Sequence, residues 1–443
     1  MKSRSLQKWR AAVRDLGKRL STIDRDTGDA GLRLAIVYVW QVMAEAPSTI
    51  LHQYAMVPES DIVADADAIV IRSADPDFGL GLKLGRDDAE TMRMLATALR
   101  ALEVFAADLD LGSAPADPNV DWRVDIHDEA YFFVPVPRRL WKRLRDESND
   151  RRPFDQRGLR SARIVPSEID GATVRLTRPD RAPRTAKQAP FGAVLFRGIE
   201  FAEDSDDTGF VVTAVTGTDM DGDARTAIIN GHRERCLAVV FPELTVDNRL
   251  HDQIVRDLED KDWLDDDPES GIEAPWIVVA GSWHRPISGG IGNIAPVLDG
   301  FGQPLLSHSK RYAYTDPDGH RERIIPGDKL DILVTDEGLF AFGICLDFCQ
   351  RYFTTPYGLL DVDFVLVPSC GNERTMEGHL RTAQDLHNQR KIRSFVVQQS
   401  FPATETGLGY VLDPVGIPGV KPISALEQKA SWSVFHAETF LES

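Results

Sequence analysis

The sequence predicts an α/β fold for its C-terminal half, from about residue 191 onward, preceded by an α-rich domain. Three observations predict it. From Phe191, short and continuously apolar runs alternate with stretches of helical period, the pattern of a sheet covered by helices on its faces. Three of those regions end in reactive side chains, Glu243, Lys310 and Cys345, and strand ends are where α/β proteins gather their sites. Residues 1 to about 150 carry helical periodicity with little strand signal.

The elements follow in order. Gly31 to Ala46 is apolar on most faces and predicts a buried helix ended by Pro47. Asp87 to Asp108 predicts an amphipathic helix: Met92, Leu95, Ala96, Leu99, Leu102, Phe105 and Ala106 recur at spacings of three and four. Asp87 and Asp88 suit its N-terminus, where the helix dipole favours negative charge. Tyr131 to Val136 reads as a strand and Arg138 to Arg145 as a short basic helix. Prolines 153, 166, 179, 183 and 190 then punctuate an Arg-rich stretch. Residues 151–190 are therefore expected to be a linker between a domain at 1–150 and one at 191–443, with a short hairpin around Gly171. Beyond it, strands are expected at Phe191–Phe196, Cys236–Phe241, Trp276–Ala280, Ile294–Leu298, Ile332–Val334, Leu339–Ile344, Phe364–Val367 and Ser394–Gln399. Helices are expected at Ala224–Arg235, Leu250–Asp260 and His379–Arg393.

Composition narrows the function classes. The chain has 443 residues, a length suggesting more than one domain, with 42% hydrophobic and 27% charged residues, enough apolar content for folded cores. A net charge of −18 argues against general binding to nucleic acid or anionic lipid, both of which need Lys and Arg in excess. The run Leu34 to Trp40 is far short of a membrane span. The N-terminus lacks the apolar centre of an export signal. The four cysteines, Cys236, Cys345, Cys349 and Cys370, form no metal-type or redox-type CxxC pair. A cytoplasmic location with free thiols is the resulting expectation. No cofactor and no metal is expected; His379 and His387 share a helix without partners at ligand spacing.

The three reactive positions sit in specific contexts: Phe241-Pro242-Glu243; then Gly281-Ser282, Asn293 and Lys310-Arg311; then Ile344-Cys345-Leu346-Asp347. This order, with 67 residues from Glu243 to Lys310, resembles the nitrilase (carbon–nitrogen hydrolase) superfamily. Supporting likenesses are Val367-Pro368-Ser369 after the Cys region, Arg381 to Val397 with Asn388-Gln389 in its polar place, and the Leu412-Asp413-Pro414 turn. The resemblance covers roughly residues 191–425. It departs after Cys345, where Phe348-Cys349-Gln350-Arg351 lacks the family's proline.

The resemblance implies a nitrilase-like α-β-β-α sandwich in the C-terminal half and a Cys-Glu-Lys site hydrolysing a non-peptide carbon–nitrogen bond, an amide rather than a nitrile. It implies Cys345 as nucleophile, Glu243 as base, and Lys310 with the Leu346 N–H as oxyanion donors. Glu322, in His320-Arg321-Glu322-Arg323, would orient the substrate amine or the water. It implies a small-molecule amide or nitrile as partner and pairing of copies into a homo-oligomer. Membrane-bound acyltransferases of the family carry spans, and its NAD synthetases carry a further domain; neither pattern is in this sequence. Taken singly, each residue has a blander account: an inert strand thiol for Cys345, a cap for Glu243, a solvated pair for Lys310-Arg311, a surface ion cluster for Glu322. A binding or regulatory module on the same fold, or an effector in a protein assembly, is the alternative. Cys349 and Cys370 read as packing, and Asp257 to Glu269 as a solvated acidic loop.

Overall fold

The computed structural model describes residues 2–20, 28–73, 85–108, 115–135, 159, 162–180, 189–260, 274–349, 356–390, 392–402, 407–412, 423–424 and 431–437. The chain divides into two compact units, Met1–Ser167 and Glu168–Ser443. No single described helix is long and apolar enough to cross a membrane.

The first unit contains α1 (Lys2–Leu20), α2 (Asp29–Ala44), α3 (Ser48–Ala55), α4 (Glu59–Arg72), α5 (Asp88–Asp108) and α6 (Pro118–Asp121). Strands β1 (Arg123–Ile126), β2 (Glu129–Pro135) and β3 (Ala162–Pro166) follow and form an antiparallel sheet in that order. The periodic positions of α5 face inward: Met92, Leu95, Leu99 and Leu102 join Ile36, Val39 and Met43 of α2 and Phe133 of β2 in one core. Each such side chain, taken from water, contributes about 1.5–3 kcal/mol. The α-rich expectation thus gains a small sheet.

The second unit opens with a hairpin, β4 (Glu168–Ile169) and β5 (Ala172–Thr177), turning through Asp170 and Gly171 at φ 52° and 74°, left-handed conformations suited to a two-residue hairpin turn. The order continues β6 (Ala189–Val194), β7 (Arg197–Asp206), β8 (Gly209–Thr218), α7 (Met220–Arg233), β9 (Ala238–Val240), α8 (Asn248–Glu259), β10 (Ile277–Val279), β11 (Trp283–Ile287), β12 (Gly290–Leu298), β13 (Pro304–Ser309) and β14 (Arg321–Glu322). It closes with β15 (Lys329–Thr335), β16 (Gly338–Phe342), α9 (Leu346–Cys349), α10 (Tyr357–Leu360), β17 (Phe364–Gly371), α11 (Glu373–Arg390), β18 (Arg393–Ser400), β19 (Gly409–Leu412), β20 (Ile423–Ser424) and β21 (Trp432–Ala437).

Among the described residues, one sheet runs β11-β12-β10-β9-β6-β21, with β13 also on β12; another runs β20-β19-β18-β17-β16-β15-β5-β4. They share a core. Phe191, Ala193, Val240, Val279 and Val297 of the first meet Leu333, Phe340, Phe342, Leu366 and Phe395 of the second. The intervening residues of the first sheet, Val194, Val239 and Val278, point the other way, into a cluster with Ala224 and Ile228 of α7 and Leu250 and Ile254 of α8. Alternate residues are therefore buried on opposite faces, which is why these strands read as unbroken apolar runs. Met376, Ala383 and Leu386 of α11 are buried on the second sheet's side.

The structure corrects the domain plan. The stretch 151–190 is not a connector outside both units. Its described part supplies β3 to the first unit and β4, β5 and the start of β6 to the second; β5 pairs in parallel with β15. Prolines and arginines hide a real alternation: Val174 and Leu176 are buried, while Arg175 reaches Asp331. The β7–β8 ribbon was also not predicted; in β7, Glu200, Glu203, Asp204 and Asp206 blunt the apolar contrast. The basic helix expected at Arg138–Arg145 and the Asp413-Pro414 turn lie outside the described residues.

Candidate active site

Three strand ends converge. Glu243 follows β9 across Pro242 and makes a bridge with Ser282. Gly281, at φ 59°, lets the two segments pass: a Cβ there would lie 2.6 Å from the Pro242 carbonyl oxygen. Lys310 follows β13, its N–H held by the Asn293 carbonyl at 2.9 Å. Cys345 lies between β16 and α9 with φ 46°, a conformation that costs a non-glycine residue energy and marks a turn held by its surroundings. Its N–H donates to the Pro368 carbonyl at 2.9 Å. Leu346 opens α9, so its N–H has no intrahelical acceptor.

Lys310 Nζ donates to Glu243 Oε1 at 2.8 Å and to Glu322 Oε2 at 2.7 Å, with all three side chains at most 2% exposed. Asn293 Nδ2 donates to both carboxylates, to Glu243 Oε1 and Glu322 Oε1, each at 3.0 Å. The other Glu243 oxygen accepts the Cys370 N–H at 3.0 Å. Glu322 also accepts from the Tyr314 N–H at 3.0 Å and from His284 Nε2 at 2.9 Å. His284 Nδ1 accepts the Val212 N–H at 2.8 Å, which leaves the proton on Nε2 to serve Glu322. The Cys345 thiol lies 3.6 Å from the Cys370 carbonyl.

The electrostatics separate the two carboxyls. Burial pushes the Glu243 carboxyl up from the ordinary glutamate value; Lys310 pulls against it and the Glu322 charge adds to it. Burial acts on Glu322 in the same sense, but there Lys310 and the His284 hydrogen bond win and hold it well below the usual range. Burial would lower Lys310, yet its two carboxylate partners hold it well above the ordinary lysine value. Burial, with the Glu243 charge, raises the Cys345 thiol. The resting arrangement is a neutral thiol beside a carboxyl of raised proton affinity, an ammonium, and a second, firmly ionised carboxylate.

The structure thus brings together Cys345, Glu243, Lys310 and Glu322. Glu322 is buried, not part of a surface cluster; its neighbour Arg323 pairs outward with Asp204 and Asp206. Three contributors were not assigned from sequence. Asn293 was noted without a role. His284, its cross-strand partner in register, and the Cys370 N–H were missed. The legible signal was a polar residue in each of two facing strands. His379, read as an ordinary helix residue, is fully buried against the Ser369 hydroxyl at 3.0 Å, and burial pulls its ring down to about 3, so it is neutral. Asn388 is exposed. Among the described residues, no group of three or more His, Cys, Asp and Glu could hold a metal ion.

No family model matches the chain, and no curated protein matches it. Among solved structures, part of the chain is similar to an amidase from Nesterenkonia sp., at 16% identity and TM-score 0.39, covering 58% of this chain and 92% of that one. It is likewise similar to a mutant of the Nesterenkonia AN1 amidase from the nitrilase superfamily, at 16% identity and TM-score 0.37, covering 56% and 90%.

Proposed function

We propose that the second unit is a nitrilase-type carbon–nitrogen hydrolase that cleaves amides through a thioester on Cys345. The observation that carries this reading is the sharing of one buried lysine between Glu243 and Glu322 beside a cysteine in a left-handed turn. A helix–sheet–sheet–helix layering, the nitrilase-like α-β-β-α sandwich, supports it.

A thiol whose proton affinity is raised is a poor spontaneous nucleophile, so attack must coincide with proton removal. Glu243 takes the Cys345 proton as the sulfur bonds to the amide carbon. The developing oxyanion is met by the Lys310 ammonium and the Leu346 N–H. On collapse the C–N bond breaks, and the nitrogen leaves with the proton carried by Glu243. Water then attacks the thioester, giving a proton to Glu243; the C–S bond breaks, the carboxylic acid leaves, and Cys345 recovers its proton. Glu322 stays ionised throughout. It keeps Lys310 charged and offers an acceptor for the amine or the water.

The test is intact-mass analysis after incubation with a panel of amides and nitriles, with ammonia measured in parallel. A thioester-sized adduct on Cys345, longer-lived in Glu243→Gln, is the expected result. The reading is overturned if iodoacetamide labels Cys345 no faster than Cys370 and no substrate releases ammonia. The alternative of a binding module on this fold would then stand.

A further inference from the structure

His308 is 1% exposed and lies between the two sheets, its ring 6.5 Å from that of Phe342. Nδ1 faces Asp331 Oδ2 at 3.1 Å, and Nε2 faces Asp347 Oδ2 at 3.9 Å. Both carboxylates are buried. Only Nδ1 is at hydrogen-bond distance; Nε2 is buried without a hydrogen bond and meets Asp347 as a longer ion-pair contact, an arrangement that an imidazolium between two carboxylates satisfies better than a neutral ring. The charged groups around the ring are Asp331 of β15, Asp347 of α9 and, behind Asp331, Arg175 of β5, which bonds Asp331 Oδ1 at 2.7 Å; Lys310 lies two residues on along the same chain. Burying this much charge is costly unless every member is held.

What Asp347 does links the cluster to the chemistry. Its Oδ1 accepts the N–H groups of Arg311 and Tyr312 at 3.0 and 2.9 Å, immediately after Lys310. Its Oδ2 accepts the N–H of Ile344 at 3.1 Å, immediately before Cys345. One carboxylate therefore ties the backbone that carries the ammonium to the turn that carries the thiol. Among the described residues, His308 is the ion-pair partner found for that carboxylate; the Tyr357 hydroxyl and the Cys349 thiol also feel its charge.

We infer that His308 is a positioning residue: as an imidazolium between Asp331 and Asp347 it fixes the carboxylate that staples Lys310 to Cys345. The inference rests on the proposed reaction for its purpose, but not for its test. The neighbouring carboxylates, winning over burial, push His308 up to about 9. The cation is present at neutral pH and is lost as pH rises through that value.

The experiment uses the full chain with 15N-labelled histidine, His308 being assigned through its contact with Phe342, and measures Cys345 alkylation by iodoacetamide, peptide by peptide. Both His308 nitrogens are expected to be protonated at pH 7. In His308→Gln, Cys345 alkylation at pH 7 is expected to slow severalfold relative to Cys370 in the same sample, because the turn that carries the thiol is no longer held against Lys310 and Glu243. The wild-type to variant ratio should shrink towards one as pH rises through about 9. Equal alkylation rates, or a neutral His308 ring at pH 7, overturn the inference. If His308→Gln does not fold, the wild-type ring signal decides alone. Alkylation needs no turnover, so the two proposals fail separately. His308-dependent labelling without amide hydrolysis removes the proposed function only; hydrolysis with His308-independent labelling removes only this one.

Discussion

Among the described residues, each unit buries a long-chain cation between two carboxylates. In the first, Arg100 bridges Glu59 at 2.7 Å and Glu103 at 2.5 Å. In the second, Lys310 bridges Glu243 and Glu322. The charge arithmetic is the same, and the two differ in what surrounds them. The Arg100 cluster joins α4 to α5 on helix faces, where its guanidinium holds two helices in register. The Lys310 cluster sits where strands end, beside a thiol in a left-handed turn and an unpartnered helix-start N–H. Its two carboxyls are driven apart in proton affinity because burial wins at Glu243, while Lys310 and the His284 hydrogen bond, made to Glu322 alone, win at Glu322, whereas a purely structural triad has no need of that asymmetry. A buried ion triad alone is thus no sign of catalysis; a triad with split carboxyls and a nucleophile is.

Substitutions at the two clusters separate a catalytic triad from a structural one. The largest effect is expected for Cys345→Ala, which removes the proposed nucleophile and should lower kcat by on the order of 10⁶-fold while the melting temperature of the chain hardly changes. Retained ammonia release would place the chemistry elsewhere.

Next in size are the paired deletions Arg100→Met and Lys310→Met. Each leaves buried carboxylates uncompensated and is expected to cost about 3–5 kcal/mol of stability by denaturant unfolding. Only Lys310→Met should also abolish hydrolysis per folded molecule. An equal loss of turnover in Arg100→Met would erase the distinction between the triads.

A pH profile tests the asymmetry itself. In the proposed reaction Glu243 must be ionised to accept the thiol proton, and burial raises its proton affinity, so the acid limb of kcat/KM should lie above the ordinary glutamate range. For stability the signs oppose. Glu243, raised in the fold, contributes below its unfolded value, and that contribution is lost as pH rises through the folded value. Glu322, lowered in the fold, contributes above its unfolded value, and that contribution is lost as pH falls. An acid limb at the ordinary glutamate position would show the two carboxyls to be equivalent.

The smallest effect is expected for Asn293→Ala. It removes one donor shared by two carboxylates, a loss of about 1.5–3 kcal/mol for hydrogen bonds to charged groups, seen as a ten- to hundredfold fall in kcat/KM with the fold retained. A change confined to stability would make Asn293 a packing residue.

The sequence by itself determined the parts that are local or strongly periodic. The helix at α5, the doubly buried strands β9, β10 and β17, and the polar residues at three strand ends were all legible, because burial on both faces leaves an unbroken apolar run and a strand end breaks it with a charge. The tertiary structure alone decided what depended on distant residues meeting. It drew β5 out of an apparent linker by parallel pairing with β15. It turned Glu322 inward between flanking arginines, set His284 opposite Asn293, and placed His308 between carboxylates from two other elements. A carboxylate, an imidazole or an ammonium has the same symbol on a surface as in a core; its proton affinity and its role are set by neighbours that lie tens of residues away along the chain.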